Sequence, residues 1–557
     1  MKIFIHTTFI LMLLFAGSSF SQSVKLVKGF GMHQVNGGVN SLQTDNNGNY
    51  IIAGYGDSVI HFGADSFVNK SGGFIASLDS LGKLNWAKAC GSYHTGAAYY
   101  RAKSDVPLAI CDSHNRLFAC GNFDSISHVG DSTLVQPGIS NTFLARFKTD
   151  GTIQWVRKVA HGFLLTGFNE DRFGNLVVTG SKNTLDSCTF GNTKILLDIV
   201  IAKFDSNGTL LWAKDAGTSS YMYEDRGYSA STDYAGNIYI GGIYRNNILF
   251  DNIHLNLDAN NQNQAGWQGF VAKYSPTGVA LWAKECGYEC VTVAADSAGN
   301  LYAGGYTYRY NYFDTTLPQG HFSAGIWFVA KYNALGKLSW NRLDTTETSS
   351  DLIALVTDVY GNCYATGKCG RYFKLGAFMT DSTNATTNQN AFLVALNPNG
   401  SPLWAKCSKN STAFGYAIST SKCHIAYTGV YLRSSFNFDM TTIPISPQDT
   451  GAITKINFFL VAMDTCEQRL QTGIEPIEDN TFHCSLYPNP STGTFTLQSE
   501  GLIHQSYTIY DLLGQAIASD IITINNQTIQ LEGLADGVYI LEIKGTDRRL
   551  KFCIARE

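Results

Sequence analysis

Short apolar runs alternating with polar positions fill most of the chain, and each run ends at a turn built on Asp, Asn or Gly. The stretch Asn237-Ile238-Tyr239-Ile240-Gly241 alternates with period two, the pattern of a half-buried strand. Two phrases recur in register. One is an Asp-x-x-Gly-Asn turn between two such strands, seen at Asp45, Asp171, Asp233, Asp296 and Asp358. Asp112 opens a variant, and a degraded copy runs over 420–429. Asp closes such a turn onto its own backbone, Gly takes positive φ, and Asn tolerates the left-handed region. The other phrase is an apolar strand ending in Asp or a similar residue, a Gly turn, and a strand carrying Trp. It reads Phe74-Ile75-Ala76-Ser77-Leu78-Asp79, Gly82 and Trp86, and returns at Trp155, Trp212, Trp282, Trp340 and Trp404.

Those Trp residues lie 69, 57, 70, 58 and 64 positions apart. The period predicts a unit of four antiparallel strands: A before the Asp turn, B after it, C before the Gly turn and D with Trp. A lone unit of that size cannot bury both its faces, so copies must stack. The fold class expected is all-β, a seven-bladed β-propeller followed by a small C-terminal β-sandwich. Seven A–B turns face only six Trp strands. The seventh is expected from the other end of the chain. Leu26-Val27-Lys28-Gly29-Phe30-Gly31 follows the pattern of Trp86-Ala87-Lys88-Ala89-Cys90-Gly91, with Leu26 in the Trp place. That N-terminal strand would close the propeller and cover an exposed edge. The Trp residues are read as packing between blades.

This unit resembles bacterial seven-bladed propeller repeats built on the same phrase, over about residues 23–470. It also resembles, loosely, the Trp-docking phrase of quinoprotein propellers. There the spacings are one residue longer than Asp205–Gly208 and Asp205–Trp212, so no quinone is carried over. Asp205 is read as a turn, since a calcium loop needs several carboxylates at alternate positions.

After Cys466 the pattern lapses. A new module then carries Tyr487-Pro488-Asn489-Pro490 with Gly493, Leu513-Gly514-Gln515, and Asp536-Gly537-Val538-Tyr539. As an ordered C-terminal set, these segments resemble the type A sorting domain of type IX secretion. The resemblance implies passage across the outer membrane of a Gram-negative bacterium, with the secretion machinery as partner. The expected organisation is a signal peptide at 1–21, the propeller at 22–466, a polar linker at 467–483 and the sorting domain at 484–557. Lys2, the apolar run through Ala16 and the small residues up to Ser21 read as the export signal. The run is too short for a membrane anchor, which needs roughly 20 apolar residues. No transmembrane anchor is expected in the mature chain.

Composition narrows the function classes. Of 557 residues 13% are aromatic and only 15% charged, with 54 Gly, which suits short strands and tight turns. A formal net charge of −4 gives no electrostatic footprint for nucleic acid. Thirteen Cys include the near neighbours Cys286 and Cys290, and Cys363 and Cys369, but no doubled zinc spacing. They are read as small buried residues, as at Cys120. Twelve His form no metal-binding pair, and no nucleophile elbow or phosphate loop appears. No catalytic residue, metal or cofactor is assigned. The most suggestive local feature is Tyr306-Thr307-Tyr308-Arg309-Tyr310-Asn311-Tyr312. On a strand, Tyr306, Tyr308, Tyr310 and Tyr312 share one face that stacks on sugar rings or on a partner, or else packs between blades.

The function expected is a secreted or cell-surface binding or adhesion protein, taking a glycan or a surface protein as partner. A secreted polysaccharide hydrolase or lyase, with its site at the channel mouth, is the alternative. A surface-layer component without a discrete ligand is a third.

Overall fold

A computed structural model describes residues within 24–555, outside several connections of which 92–107, 257–266, 315–324, 444–455 and 465–483 are the longest. The expected signal at 1–21 and linker at 467–483 lie outside the described residues. Every element among the described residues is a strand. The chain divides into two compact units, Met1–Glu467 and Gln468–Glu557.

In the larger unit the repeat phrase folds as the spacing predicts. Six segments, 37–91, 108–160, 163–216, 226–285, 289–343 and 351–407, each contain four antiparallel strands in the order A, B, C, D. A seventh segment at 412–464 supplies A, B and C, and its C strand Ile456–Asp464 pairs with Val24–Met32. The register is the one expected. Leu26 lies opposite Ala462, as Trp86 lies opposite Ser77 and Trp212 opposite Lys203, with a shift in pairing beside each. Lys25 anchors the joint through an ion pair of 2.9 Å to Asp464, which His424 also contacts. Among the described residues no sheet closes on itself.

Three kinds of contact join one unit to the next. The first is the Trp. Its ring lies over the C–D turn Gly of the following unit: Trp86 over Gly151, Trp155 over Gly208, Trp212 over Gly278, Trp282 over Gly336 and Trp340 over Gly400. Leu26 lies over Gly82 in the same way. These glycines have φ between +71° and +84°, and a Cβ would come within 3.3 Å of the ring or side chain above. Both facts restrict the position to Gly. The indole N–H of Trp86, Trp212, Trp282 and Trp340 also donates to a carbonyl of that turn, at 2.8 to 3.2 Å. Lys203, Lys273 and Lys331 reach the same carbonyls as the Trp beside them.

The second contact lies between the A strands. Their outer edges carry unpaired backbone groups, and hydroxyls of neighbouring units meet several of them. Ser41 Oγ donates to the Ala109 carbonyl at 2.8 Å, and Thr166 Oγ1 to that of Gly227 at 2.6 Å. Ser229 and Thr292 accept from the N–H groups of Val293 and Leu355. Thr420 reaches the Thr357 carbonyl, and Ser419 reaches Thr44, which joins the last segment to the first. The third contact is made by hairpins in the B–C connections. They pair with the end of the preceding D strand, as Val129 does with Cys90 and His61 with Gly31. The edge of a D strand is therefore partly covered.

The cysteines are reached mainly by burial. Cys120 lies fully buried in the core, while Cys363 and Cys369 stand at opposite ends of one strand, and Cys369 Sγ instead lies 3.3 Å from Cys407 Sγ. The Asp205 segment is a turn, its carboxylate accepting the N–H groups of Asn207 and Thr209.

The smaller unit holds a three-stranded and a four-stranded sheet. Phe495 of one meets Phe552 of the other at 4.4 Å between ring centroids, within a core that includes Leu497, Ile509, Ile529 and Leu541.

Replacing Trp212 by Ala is expected to lower the stability of the larger unit by about 3 kcal/mol. Gly278→Ala should destabilise by strain at the same contact, and the double variant should lose less than the sum. Denaturant titration of the four proteins measures the coupling; simple additivity would show that the ring and the glycine do not act together.

Candidate functional site

The A strands share an irregularity. Each of those in the first, third, fourth, fifth, sixth and seventh units shifts register at one residue. The residues left over are Asn40, Thr166, Tyr228, Val291, Ile353 and Tyr416. A bulge re-aims the extra side chain, and here all six line one cavity of about 270 Å³. Strands from all seven units contribute to its wall, Leu108, Ala109 and Ile110 from the second. The residue after each bulge is small: Ser41, Gly167, Ser229, Thr292, Ala354 and Ala417. A larger group there would meet the adjoining strand. At Gly167 a Cβ would approach the Ala230 nitrogen to 2.9 Å.

The lining side chains among the described residues are Asn, Gln, Ser, Thr, Tyr, Phe and aliphatic. Charge stands just outside, between the fourth and fifth units. The phenol of Tyr228 donates to Glu289 and accepts from Arg226, and Tyr306 also bonds Glu289. Burial, and then the carboxylate of Glu289, push the ionisation of both Tyr228 and Tyr306 far up. Tyr416, half-buried and close to Tyr55, is pushed up to about 12, chiefly by desolvation. All three remain neutral hydroxyls at physiological pH.

The tyrosine series does not form the single face expected of it. Strand B ends with Leu301–Thr307, so the alternation stops there. The chain then bends: Asn311 N–H donates to the Tyr308 carbonyl, and Asp314 takes a φ of +56°. The Asn311 amide ties this bend to the fourth unit through the Trp267 carbonyl and Gln268, both at 3.1 Å. Sequence alternation could not reveal that anchor, which draws the backbone out of extension. Tyr306 and Tyr308 stay together, with ring centroids 6.1 Å apart. Tyr312 takes part through its carbonyl, which accepts from Gly287 and Gln268, and Tyr310 lies outside the described residues. The third ring of the cluster is Tyr288, 5.3 Å from Tyr306 and 5.0 Å from Tyr308. Sequence reasoning missed it because it belongs to the D–A turn. Tyr308 is 40% exposed.

Asp225, which precedes the fourth A strand, is fully buried. It accepts from Arg245 N–H and from the N–H and hydroxyl of Thr218, and Asp198 stands nearby. Burial raises its pKa to about 7 against those hydrogen bonds, and Asp198 adds to the rise.

In the smaller unit Tyr539 is buried, its hydroxyl donating to the Ala535 carbonyl at 2.7 Å. Gly537 opens its strand, and Gly493 takes a φ of +109° while its carbonyl accepts from Leu531. Tyr487 is half exposed at the end of Cys484–Tyr487. Pro488, Asn489, Pro490 and Gly514 lie outside the described residues.

Residues 485–554 match the family described as the secretion system C-terminal sorting domain. The smaller unit is thus a type IX sorting domain, and the protein is exported by that system to the cell surface or beyond it. Beta-agarase A of Zobellia galactanivorans is 31% identical to this chain over 106 residues, 18% of this chain and 19% of the agarase. The match thus spans about a fifth of that relative. Among solved structures, virginiamycin B lyase from Staphylococcus aureus is similar at 9% identity, over 79% of this chain and 99% of the lyase, with a TM-score of 0.38. The phage phi92 endosialidase is similar at 10% identity, over 94% and 87%, with a TM-score of 0.32. Neither likeness transfers a site or an activity.

The pKa of Asp225 sets a pH dependence. Its folded value stands above the ordinary 3.8, so its contribution to stability is full below that value and is lost as pH rises through about 7. The apparent Tm should fall across that window, and Asp225→Asn should flatten the curve. Parallel curves for the two proteins would remove Asp225 as the cause.

Proposed function

We propose that residues 22–466 form a seven-bladed β-propeller closed by the N-terminal strand, and that this body is a non-enzymatic binding or adhesion module. Residues 484–557 direct it to the outside of the cell. Export starts with 1–21 as a cleaved signal and continues across the outer membrane of a Gram-negative bacterium. What supports the ring is the common cavity of all seven A strands, together with the pairing of Val24–Met32 to both the last C strand and the first B–C hairpin.

The binding role rests chiefly on the composition of that cavity. General acid–base chemistry needs ionisable groups converging on one space. The lining found among the described residues is uncharged, aliphatic over much of its area with polar and aromatic side chains between, and Glu289 beside it is engaged by phenols. Such a surface fits recognition. The B–C connections around it supply varied chemistry on a rigid scaffold.

A secreted polysaccharide hydrolase or lyase is the second reading. The partial likeness to an agarase and the carboxylate of Glu289 near the cavity favour it.

Two experiments test these readings. The exported protein is incubated with a polysaccharide panel, and binding and reducing-end release are measured together. Retention without turnover is expected; turnover abolished by Glu289→Gln would replace the first reading with the second. Deletion of 484–557 is expected to leave the protein inside the cell. Its appearance in the medium would end the sorting role of the tail.

A further inference from the structure

We propose that the central cavity and the tyrosine cluster beside it form one binding site for the end of an uncharged saccharide chain. One sugar ring occupies the cavity and the next lies against Tyr288 and Tyr308. This rests on the binding reading above and assigns its ligand class and place.

The two parts are linked through side chains. Tyr228 projects into the cavity from its bulge, and its hydroxyl bonds Glu289. Glu289 also holds Tyr306, whose ring meets Tyr288 and Tyr308. An aromatic and hydrogen-bonding path thus runs from the cavity to the exposed ring of Tyr308. The bend that presents Tyr308 is fixed by the Asn311 contacts to the fourth unit, so the platform is organised before a ligand arrives.

Charge decides between ligand classes. A charged ligand group in the cavity would lose its hydration with no opposite charge on the lining side chains described, which is costly. Glu289 and Arg226 share the Tyr228 hydroxyl and offset each other. Neutral hydroxyls suit the hydroxyls and amides of Asn40, Thr166, Tyr228 and Tyr416, while the C–H faces of a sugar ring suit the aromatic surfaces. Size sets the limit. A cavity of about 270 Å³ falls just under the roughly 300–1,000 Å³ of drug-sized pockets, which is room for a single ring.

The test is calorimetric titration of the exported full chain. The probes are methyl glycosides of glucose, galactose and mannose, their neutral disaccharides, and the charged sugars glucuronate and glucosamine. At least one neutral disaccharide is expected to bind about tenfold more tightly than its monosaccharide. Tyr308→Ala should remove that advantage and leave monosaccharide binding unchanged. Tyr416→Ala should abolish both, with Tyr416→Phe retaining most of the affinity and cooperative unfolding confirming that each variant is folded. Absence of binding to every neutral probe, preference for the charged sugars, or full affinity in Tyr416→Ala would overturn the site. Adherence of the exported protein to whole cells, unchanged in Tyr416→Ala, would also overturn the site while leaving the binding role in place. Loss of adherence in the unmodified protein would sink both.

Discussion

An indole ring resting on a neighbour's turn glycine is the interaction on which the larger unit depends. A four-stranded sheet of this kind has two faces to cover and two edges to satisfy, and it can do neither alone. The Trp solves the first problem by reaching across to the next unit, where only a residue without a side chain leaves room for it. Except at Trp155, the same turn offers a carbonyl to the indole N–H, which fixes the angle as well as the distance. Because the second to fifth units each give a ring and receive one, the contact propagates. Hydroxyls between the A strands and hairpin pairing at the D strands then satisfy the edges.

This explains why so much of the architecture was legible in the sequence. The Trp-to-Trp period and the Gly of each C–D turn are two halves of one contact, so they recur together. Leu26 was readable as the seventh Trp position because the contact needs an apolar side chain at that register, and Leu is the shorter substitute. The bulges were not legible. Their extra residues, Asn40, Thr166, Tyr228, Val291, Ile353 and Tyr416, share no chemistry, since what places them is backbone pairing and not side-chain type. Only the small residue following each one leaves a trace, and that trace is common in any strand. The tyrosine series misled for a related reason. Alternation from Tyr306 onward describes a strand only while the backbone stays paired, and Asn311 redirects it after Thr307 through partners far away in the sequence.

The cavity is built in a way of its own. Its side chains come from separate units, each delivered by the same backbone irregularity, so its chemistry can vary from position to position without altering the frame. Rigidity and variability are therefore divided between backbone and side chain. The phenols of Tyr228 and Tyr306 extend this division, since both are held by Glu289, which belongs to a different strand from either.

The seventh sheet is assembled from the two extremities of the larger unit, and this gives chain synthesis a defined finishing order. Val24–Met32 is made first yet has no final partner until Ile456–Asp464 has followed it. Assembly must wait for almost the whole polypeptide, with the sorting domain coming only a short stretch later. Trimming at the amino end carries an equal penalty. A protease that advanced as far as Leu26 would uncover Gly82 and undo the joint at both of its neighbours.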